Sequence, residues 1–188
     1  MAIKKFADYD KTQTYREREQ LPRGGYVLTI LGARVQENQY GQSVKIAFDI
    51  AEGEYKGFFQ RQYDGDSRED KKWPGTFLLP VPDDDGSERD GWTKRRFRTF
   101  TDALEESNDG YRFDWDESKF KGLLVGMVFN YRQYEINDRV GFAPNPARPV
   151  PAQQIREGRF KVPEDKLLKG HAAPVPQGFT QVEEEIPF

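Results

Sequence analysis

Residues 43–50 read Ser-Val-Lys-Ile-Ala-Phe-Asp-Ile, and this stretch decides the fold class. Its large apolar side chains recur at every second position from Val44 to Ile50, whereas Lys45, Ala47 and Asp49 lie between them. A period of two is that of a β-strand with one face buried. The stretch therefore predicts a half-buried strand in a mainly β protein.

The sequence on either side predicts further strands. Residues 26–36 and 55–63 are rich in β-branched, apolar and aromatic side chains and are separated from the first stretch by turn signals. Residues 123–134 carry an apolar or aromatic side chain at every odd position from 123 to 131, which predicts another strand. Residues 148–155 predict a fifth strand, and Pro149 and Pro151 confine it to an edge of the sheet.

One helix is predicted between the third and fourth strands. It begins at residues 92–93, places Phe97, Phe100 and Leu104 on one face, and ends at the Asn-Asp-Gly sequence of residues 108–110. Five strands with a helix between the third and fourth are the layout of an oligonucleotide-binding (OB) fold barrel. The predicted architecture is therefore a five-stranded OB-fold barrel.

Composition divides the chain of 188 residues into three parts. Residues 1–20 are polar and predict an N-terminal arm, and residues 21–169 form the predicted OB-fold domain, with an acidic inserted excursion at 64–92. Residues 170–188 predict a disordered linker and an acidic tip. The tip holds three glutamates and no basic residue, so the net charge of −3 resides there and residues 1–169 are neutral overall. A neutral body can still hold a basic groove if its charges are segregated.

Several classes of function find no support in the composition. The chain has no cysteine, which excludes disulfides, thiolate metal sites and a cysteine nucleophile. We find no phosphate-binding loop and no catalytic set of serine and histidine, so we expect no enzyme activity, no cofactor and no bound metal. No apolar run approaches the ~18 residues of a membrane span, and the N-terminus lacks a signal core. The expected location is the cytoplasm, or the host cytoplasm if a phage encodes the chain.

Four stretches combine basic and aromatic residues, the pattern of proteins that bind single-stranded nucleic acid in a cationic groove with stacking platforms. In this interpretation Trp92 is the exposed platform, whereas Trp73 could also cover the end of the barrel. The arginines of the predicted helix could alternatively form a solvated face paired with Glu105 and Glu106. The candidate contact residues are Arg61, Tyr63, Lys71, Lys72, Trp73, Trp92, Lys94, Arg95, Arg96, Tyr131, Arg132 and Tyr134.

The chain ends in the sequence Glu183, Glu184, Glu185, Ile186, Pro187 and Phe188. This peptide resembles the acidic tip of bacterial single-stranded DNA-binding proteins, in which acidic residues, often Asp rather than Glu, precede a terminal Ile-Pro-Phe. The resemblance implies non-catalytic binding and protection of single-stranded DNA in replication, recombination or repair. It also implies that the tip recruits helicases, primases, polymerases or recombinases. Phe188 would be the apolar anchor, and the glutamates would steer the peptide to a basic rim.

The body of the chain resembles a second group. The residues that carry this resemblance lie at 48–57, 73–75, 106–108 and 155–160, within a region from about 25 to 168. They are similar to an uncharacterised family of phage proteins of similar length. The resemblance implies a phage or prophage origin and a role in phage replication or recombination.

Other functions stay open at this point. A recombination mediator or annealing protein would also bind DNA. A metal-dependent nuclease could use the acids of the excursion, which are Asp64, Asp66, Glu69, Asp70, Asp83, Asp84 and Asp85, because Mg²⁺ prefers oxygen ligands. A structural phage protein could use the barrel as a scaffold. Barrels of this kind work as monomers, dimers or tetramers, so a homo-oligomer also stays open.

Deletion of Ile186, Pro187 and Phe188 should abolish recruitment of partner proteins, because it removes the apolar anchor of the tip. The affinity for single-stranded DNA should stay unchanged or rise slightly, because an acidic tail competes with DNA for a basic groove. A pull-down and a DNA titration with full-length and truncated protein check both effects. Retention of every partner by the truncated protein would show that the tip does not dock.

Overall fold

The computed structural model describes residues 4, 7, 9–10, 19–39, 41–168 and 170. Within these residues the chain is mainly β, which confirms the predicted class. The strands are β1 (Gly24–Asn38), β2 (Gly41–Ile50), β3 (Thr76–Pro80), β4 (Leu124–Ile136) and β5 (Arg139–Val150). The helices are α1 (Phe58–Asp64), α2 (Glu88–Ser107), a 3₁₀ turn (Glu117–Phe120) and α3 (Ala152–Arg156).

The strands form one antiparallel sheet in the order β3-β2-β1-β4-β5. β1 lies at its centre, where it pairs with β4 along residues 24–29 and with β2 along residues 28–38. The register with β2 shifts between Ile30 and Gly32, so Leu31 is bulged out of the ladder and the strand bends. β3 and β5 are the edges, and no ladder within the described residues joins them. The sheet is therefore open between β3 and β5.

The alternation in β2 has the expected effect. Val44, Ile46, Phe48 and Ile50 are buried in the core, and Lys45 lies on the opposite face. The face that β2 turns inward is shared by the neighbouring strands, so the core lies on one side of the sheet, under α2 and the 3₁₀ turn. The other side, called the outer face below, carries Lys45.

The predicted strand at residues 55–63 is wrong. Residues 52–57 form turns, and α1 begins at Phe58. Both Phe58 and Phe59 are buried, whereas adjacent residues of a strand point to opposite faces. Asp49, on the outer face of β2, stabilises the start of this helix. Its carboxylate accepts hydrogen bonds from the backbone N–H groups of Phe59 at 3.0 Å and Gln60 at 3.1 Å. These N–H groups are free donors in the first turn of a helix.

The third strand lies inside the predicted excursion at 64–92. β3 pairs with β2, and Phe77 and Leu79 lie opposite Ile46 and Val44 on the core side. The predicted fifth strand is displaced. β5 ends at Val150, two residues after the predicted start at Arg148, and residues 152–156 form α3 instead. Its placement at an edge of the sheet is confirmed.

α2 lies between β3 and β4 in the chain, as predicted, but it begins at Glu88, four residues before the expected start. Ser87 is the residue that caps it, and its side chain accepts a hydrogen bond from the backbone of Asp90 at 3.1 Å. The predicted apolar face of the helix is buried. In the part of the chain that the structure describes, no helix is long and apolar enough to cross a membrane.

α3 and the residues after it cover part of the outer face. A β-carbon at Gly25 would lie 2.6 Å from Cδ1 of Ile155 and 2.7 Å from Cε1 of Phe160, so the absence of a side chain allows this close packing. Further along, the backbone N–H of Lys166 donates to the carbonyl of Tyr131 at 2.8 Å, and that of Gln133 donates to Lys166 at 2.8 Å. Residues 152–168 therefore cover the outer face over β4 and the first part of β1, and leave it open over β2, β3 and the second part of β1.

Replacement of Asp49 by Ala should lower the free energy of unfolding by about 2 kcal/mol, because buried backbone donors of α1 lose a charged acceptor. Asp70→Ala removes an exposed carboxylate that makes no hydrogen bond within the described residues. This substitution should change the free energy of unfolding by less than about 0.5 kcal/mol. Urea denaturation followed by circular dichroism measures both. Equal effects of the two substitutions would show that Asp49 does not anchor α1.

Candidate nucleic-acid interface

A concave groove of about 660 Å³ lies on the open part of the outer face. It runs across β1 and β2 to the residues before β3. Gly32 and Ala47 lie opposite each other in the register and lack long side chains, so little side-chain volume fills the groove between them. None of its lining residues is acidic. The side chains that matter for binding are Arg34, Lys45, Lys72, Trp73 and Thr76.

The groove gathers cations that are not neutralised. Arg34 and Lys45 face each other across the β1–β2 ladder, and Lys72 borders the same space. Like charges directly opposite each other on a sheet destabilise it, so the pair has an energetic cost without an anion. None of the three forms an ion pair with another described residue. The groove is therefore prepared for an anionic ligand.

Trp73 is held in place at the end of this groove. It is half-buried, and its indole N–H donates to the carbonyl of Phe48 at 3.1 Å. Its ring centroid lies 5.5 Å from that of Tyr63, and the Lys71 ammonium lies 4.5 Å from the Tyr63 ring. Four of the predicted contact residues are thus brought together, because Lys72 follows Lys71 directly. Both readings of Trp73 from the sequence are compatible with this position, since it packs on the core and also lines the groove.

A second group of cations lies between α2 and β4. Trp92 is 55% exposed, as expected for a platform, and the Arg96 guanidinium lies 5.6 Å from the centre of its ring. Arg96 and Arg132 are both close enough to Lys166 to lower the pKa of its ammonium group, after desolvation as the main cause. Burial also lowers the pKa of Arg96. Three predicted residues thus meet here with one that the sequence did not single out.

Lys94 and Arg95 do not join either group. Lys94 pairs with Asp84 and, at 2.8 Å, with Asp90, so its charge is neutralised locally. These contacts raise the pKa of Lys94, and Lys94 lowers the pKa of the Asp90 carboxyl. Arg95 is exposed on α2. The alternative pairing of the helix arginines with Glu105 and Glu106 is not observed in the described residues, because Arg98 pairs with Asp102 instead, at 2.8 Å.

The remaining predicted contact residues have structural partners. The Arg61 guanidinium donates to the carbonyl of Lys56 at 2.5 Å, beside α1. The Tyr131 ring is covered by the guanidinium of Arg23, 4.2 Å from its centre. Tyr134 lies across Gly141, where a β-carbon would be 2.7 Å from its ring. These residues are therefore not gathered around the groove.

Some candidate residues were not identified from the sequence. Arg34 and Lys45 could have been found from the alternation of β2 once the hairpin register was known.

Trp115 is 79% exposed and stacks on Phe97 with the rings 6.1 Å apart and 12° from parallel. Its neighbours Asp114 and Asp116 share a single cation, Lys119. Trp115 therefore lies in an anionic environment, unlike Trp92.

The acids of the excursion make local contacts. Asp66 pairs with Arg68 at 2.6 Å, and the Asp85 carboxylate accepts a hydrogen bond from the backbone N–H of Ser87 at 2.9 Å. Asp84 pairs with Lys94. Among the described residues, no group of three acidic or histidine side chains is placed to hold a metal ion.

The predicted docking tip, residues 183–188, lies outside the described residues, as does almost all of the N-terminal arm. Comparison of the chain with protein-family models found no match. Comparison with curated proteins found no match either.

The chain has three tryptophans, and they should differ in their response to charged quenchers at low ionic strength. Iodide should quench Trp92 more efficiently than caesium does, because Arg96 and the nearby helix arginines attract anions. Caesium should quench Trp115 more efficiently, because of Asp114 and Asp116. Stern–Volmer measurements on Trp92→Phe and Trp115→Phe check this, since each variant should lose one sensitive fraction. Identical responses of the two variants would rule out the separation of charge.

Proposed function

We propose that the chain binds single-stranded DNA without catalysis, through the groove on the outer face of β1, β2 and β3. The observation that carries the proposal is a set of three cations, Arg34, Lys45 and Lys72, which have no ion-pair partner among the described residues and lie beside the fixed ring of Trp73. Phosphate neutralisation by such cations supplies most of the affinity of non-specific binding.

The chemistry of the groove favours a single strand over a duplex. Bases in a duplex are stacked on one another, and only an unpaired strand can present a base to a ring. Trp73 is oriented before binding by its hydrogen bond to Phe48, so little freedom is lost when a base stacks on it. Base–aromatic stacking contributes ~1–3 kcal/mol per base. Its indifference to sequence suits a protein that protects any exposed strand.

The strand order supports the finer assignment to an OB-type barrel. In such a barrel the first strand is shared between the second and the fourth, and the third and fifth strands approach each other. β1 is shared in this way, and β3 and β5 are the two edges. OB folds are partly open barrels, and their second and third strands form the surface that binds oligonucleotides. The groove lies on the corresponding strands.

The acidic tip supports a role in DNA replication, recombination or repair. If Ile186, Pro187 and Phe188 dock on partner enzymes, the protein both covers the exposed strand and recruits the enzymes that act on it. Separation of the cationic groove from the acidic tip along the sequence fits this division of roles. A recombination mediator or annealing protein would use the same groove, and strand-annealing assays distinguish it.

Replacement of both Arg34 and Lys45 by Gln should weaken binding of an oligothymidylate of about 16 nucleotides by at least about tenfold at low salt, because two phosphate contacts are lost. The slope of log affinity against log salt concentration should fall by about 1.4, at about 0.7 per contact for single strands. Fluorescence anisotropy with a labelled strand measures both quantities. The control Lys121→Gln removes an exposed lysine outside the groove and should leave them unchanged.

The same assay tests the rival functions. Far weaker binding to duplex DNA is expected, and an RNA strand of equal length measures the preference for the sugar. Failure of the unmodified protein to bind any strand at low salt would refute the proposal and favour a structural role. Shortened products with Mg²⁺ that disappear in Asp64→Ala would indicate a nuclease.

A further inference from the structure

A second cationic site lies apart from the groove, on a surface built by three separate segments of the chain. Arg96 comes from α2, Arg132 from β4, and Lys166 from the segment that follows α3. None of the three lines the groove. None has an acidic partner within the described ranges of the chain.

The backbone holds two of these cations side by side. Lys166 forms a parallel bridge with Arg132, closed by hydrogen bonds of 2.8 Å from Lys166 N–H to Tyr131 and from Gln133 N–H to Lys166. The segment is anchored at Asp165, which accepts from the backbone of Tyr131 at 2.9 Å and pairs with Arg23 at 2.5 Å. The bridge therefore keeps the backbones of Arg132 and Lys166 adjacent, so their charged side chains extend from neighbouring positions.

The positive charges of the site lie close together and have no compensating acidic partner among the described residues. Lys166 is exposed as a residue, but protein atoms around its ammonium group desolvate it, and Arg96 and Arg132 repel its charge. Arg96 is half-buried and receives no compensating charge, so burial alone shifts its pKa downward. A bound anion would offset both the desolvation of these cations and the repulsion between them.

Trp92 indicates what kind of anion fits. Its exposed ring lies beside Arg96, 5.6 Å from the guanidinium to the ring centre. Arginine forks match the oxygens of a phosphate, and a tryptophan face accepts a base. A ligand that carries both groups a short distance apart is a nucleotide within a strand.

We propose that Arg96, Arg132 and Lys166 bind a backbone phosphate of single-stranded nucleic acid while Trp92 stacks on an adjacent base, as a second contact beyond the groove. This inference rests on the proposed function, because it assigns more of the same strand to the protein. A long strand occupies the groove and this second site together. A strand too short to span both occupies the groove alone.

The test compares Arg132→Gln/Lys166→Gln with Lys161→Gln, which removes an exposed lysine from the same segment. Strands of about 4 and about 16 nucleotides cover the range of one OB fold. The double variant should bind the short strand like the unmodified protein and the long strand about tenfold more weakly at low salt. The salt slope for the long strand should fall by about 1.4. Lys161→Gln should match the unmodified protein for both strands.

A second readout uses the indole N–H resonances of the three tryptophans. The long strand should shift the signals of Trp73 and Trp92, and the short strand that of Trp73. Inorganic pyrophosphate should shift the Trp92 signal in the unmodified protein and leave it unchanged in the double variant. This arm tests the second site as a phosphate site without a nucleic acid.

The outcomes separate the two proposals. Failure of the unmodified protein to bind any strand refutes the proposed function, and the pyrophosphate arm still decides whether the second site binds phosphate. If long strands bind and the double variant matches the unmodified protein in affinity and salt slope, the second contact is wrong and the groove stands. Equal weakening of both strand lengths would also overturn it, because one site would then account for all binding.

Discussion

Within the described residues, the two halves of the sheet are joined only through the central strand, β1. It pairs with β4 along its first residues and with β2 along the rest, and the two pairings overlap only at Leu28 and Thr29. The bulge at Leu31 bends the strand where it passes from one neighbour to the other. Because of this division, one part of the outer face can be covered by the chain while the other stays exposed. One is packed against α3 and residues 157–168, and the other remains open to solvent.

Charge is sorted over the resulting surface. The acids at the start of α2 make local contacts. Asp90, in the first turn of the helix, is buried and orders the preceding turn by accepting a hydrogen bond from the backbone N–H of Asp84 at 2.9 Å. The cations of the groove and of the second site have no such partners among the described residues. A chain with a net charge of −3 can therefore present two positive regions. Net charge alone is a poor guide to the ligand of such a protein, because the position of each charge decides which ligand is attracted.

The parts of the fold that were predicted correctly are those in which burial imposes a period on the sequence. β2 alternates strictly, and the buried face of α2 repeats at helical spacing, so both could be recognised. α1 was mistaken for a strand because its seven residues are too few to show a period, and because its first turn depends on Asp49, ten residues before Phe59. β3 was missed for a similar reason, since only its pairing with β2 makes its five residues a strand. Lys166 was overlooked because its significance arises from contacts with α2 and β4, which are distant in sequence.

The two edge strands of the sheet determine whether two copies of the chain can pair edge to edge. β5 contains Pro144, Pro146 and Pro149, which lack a backbone N–H, and β3 is only five residues long and ends at Pro80. Unpaired strands normally recruit a neighbouring molecule edge to edge, and proline or shortness prevents this. Both edges therefore disfavour the joining of two copies of the chain into one continuous sheet.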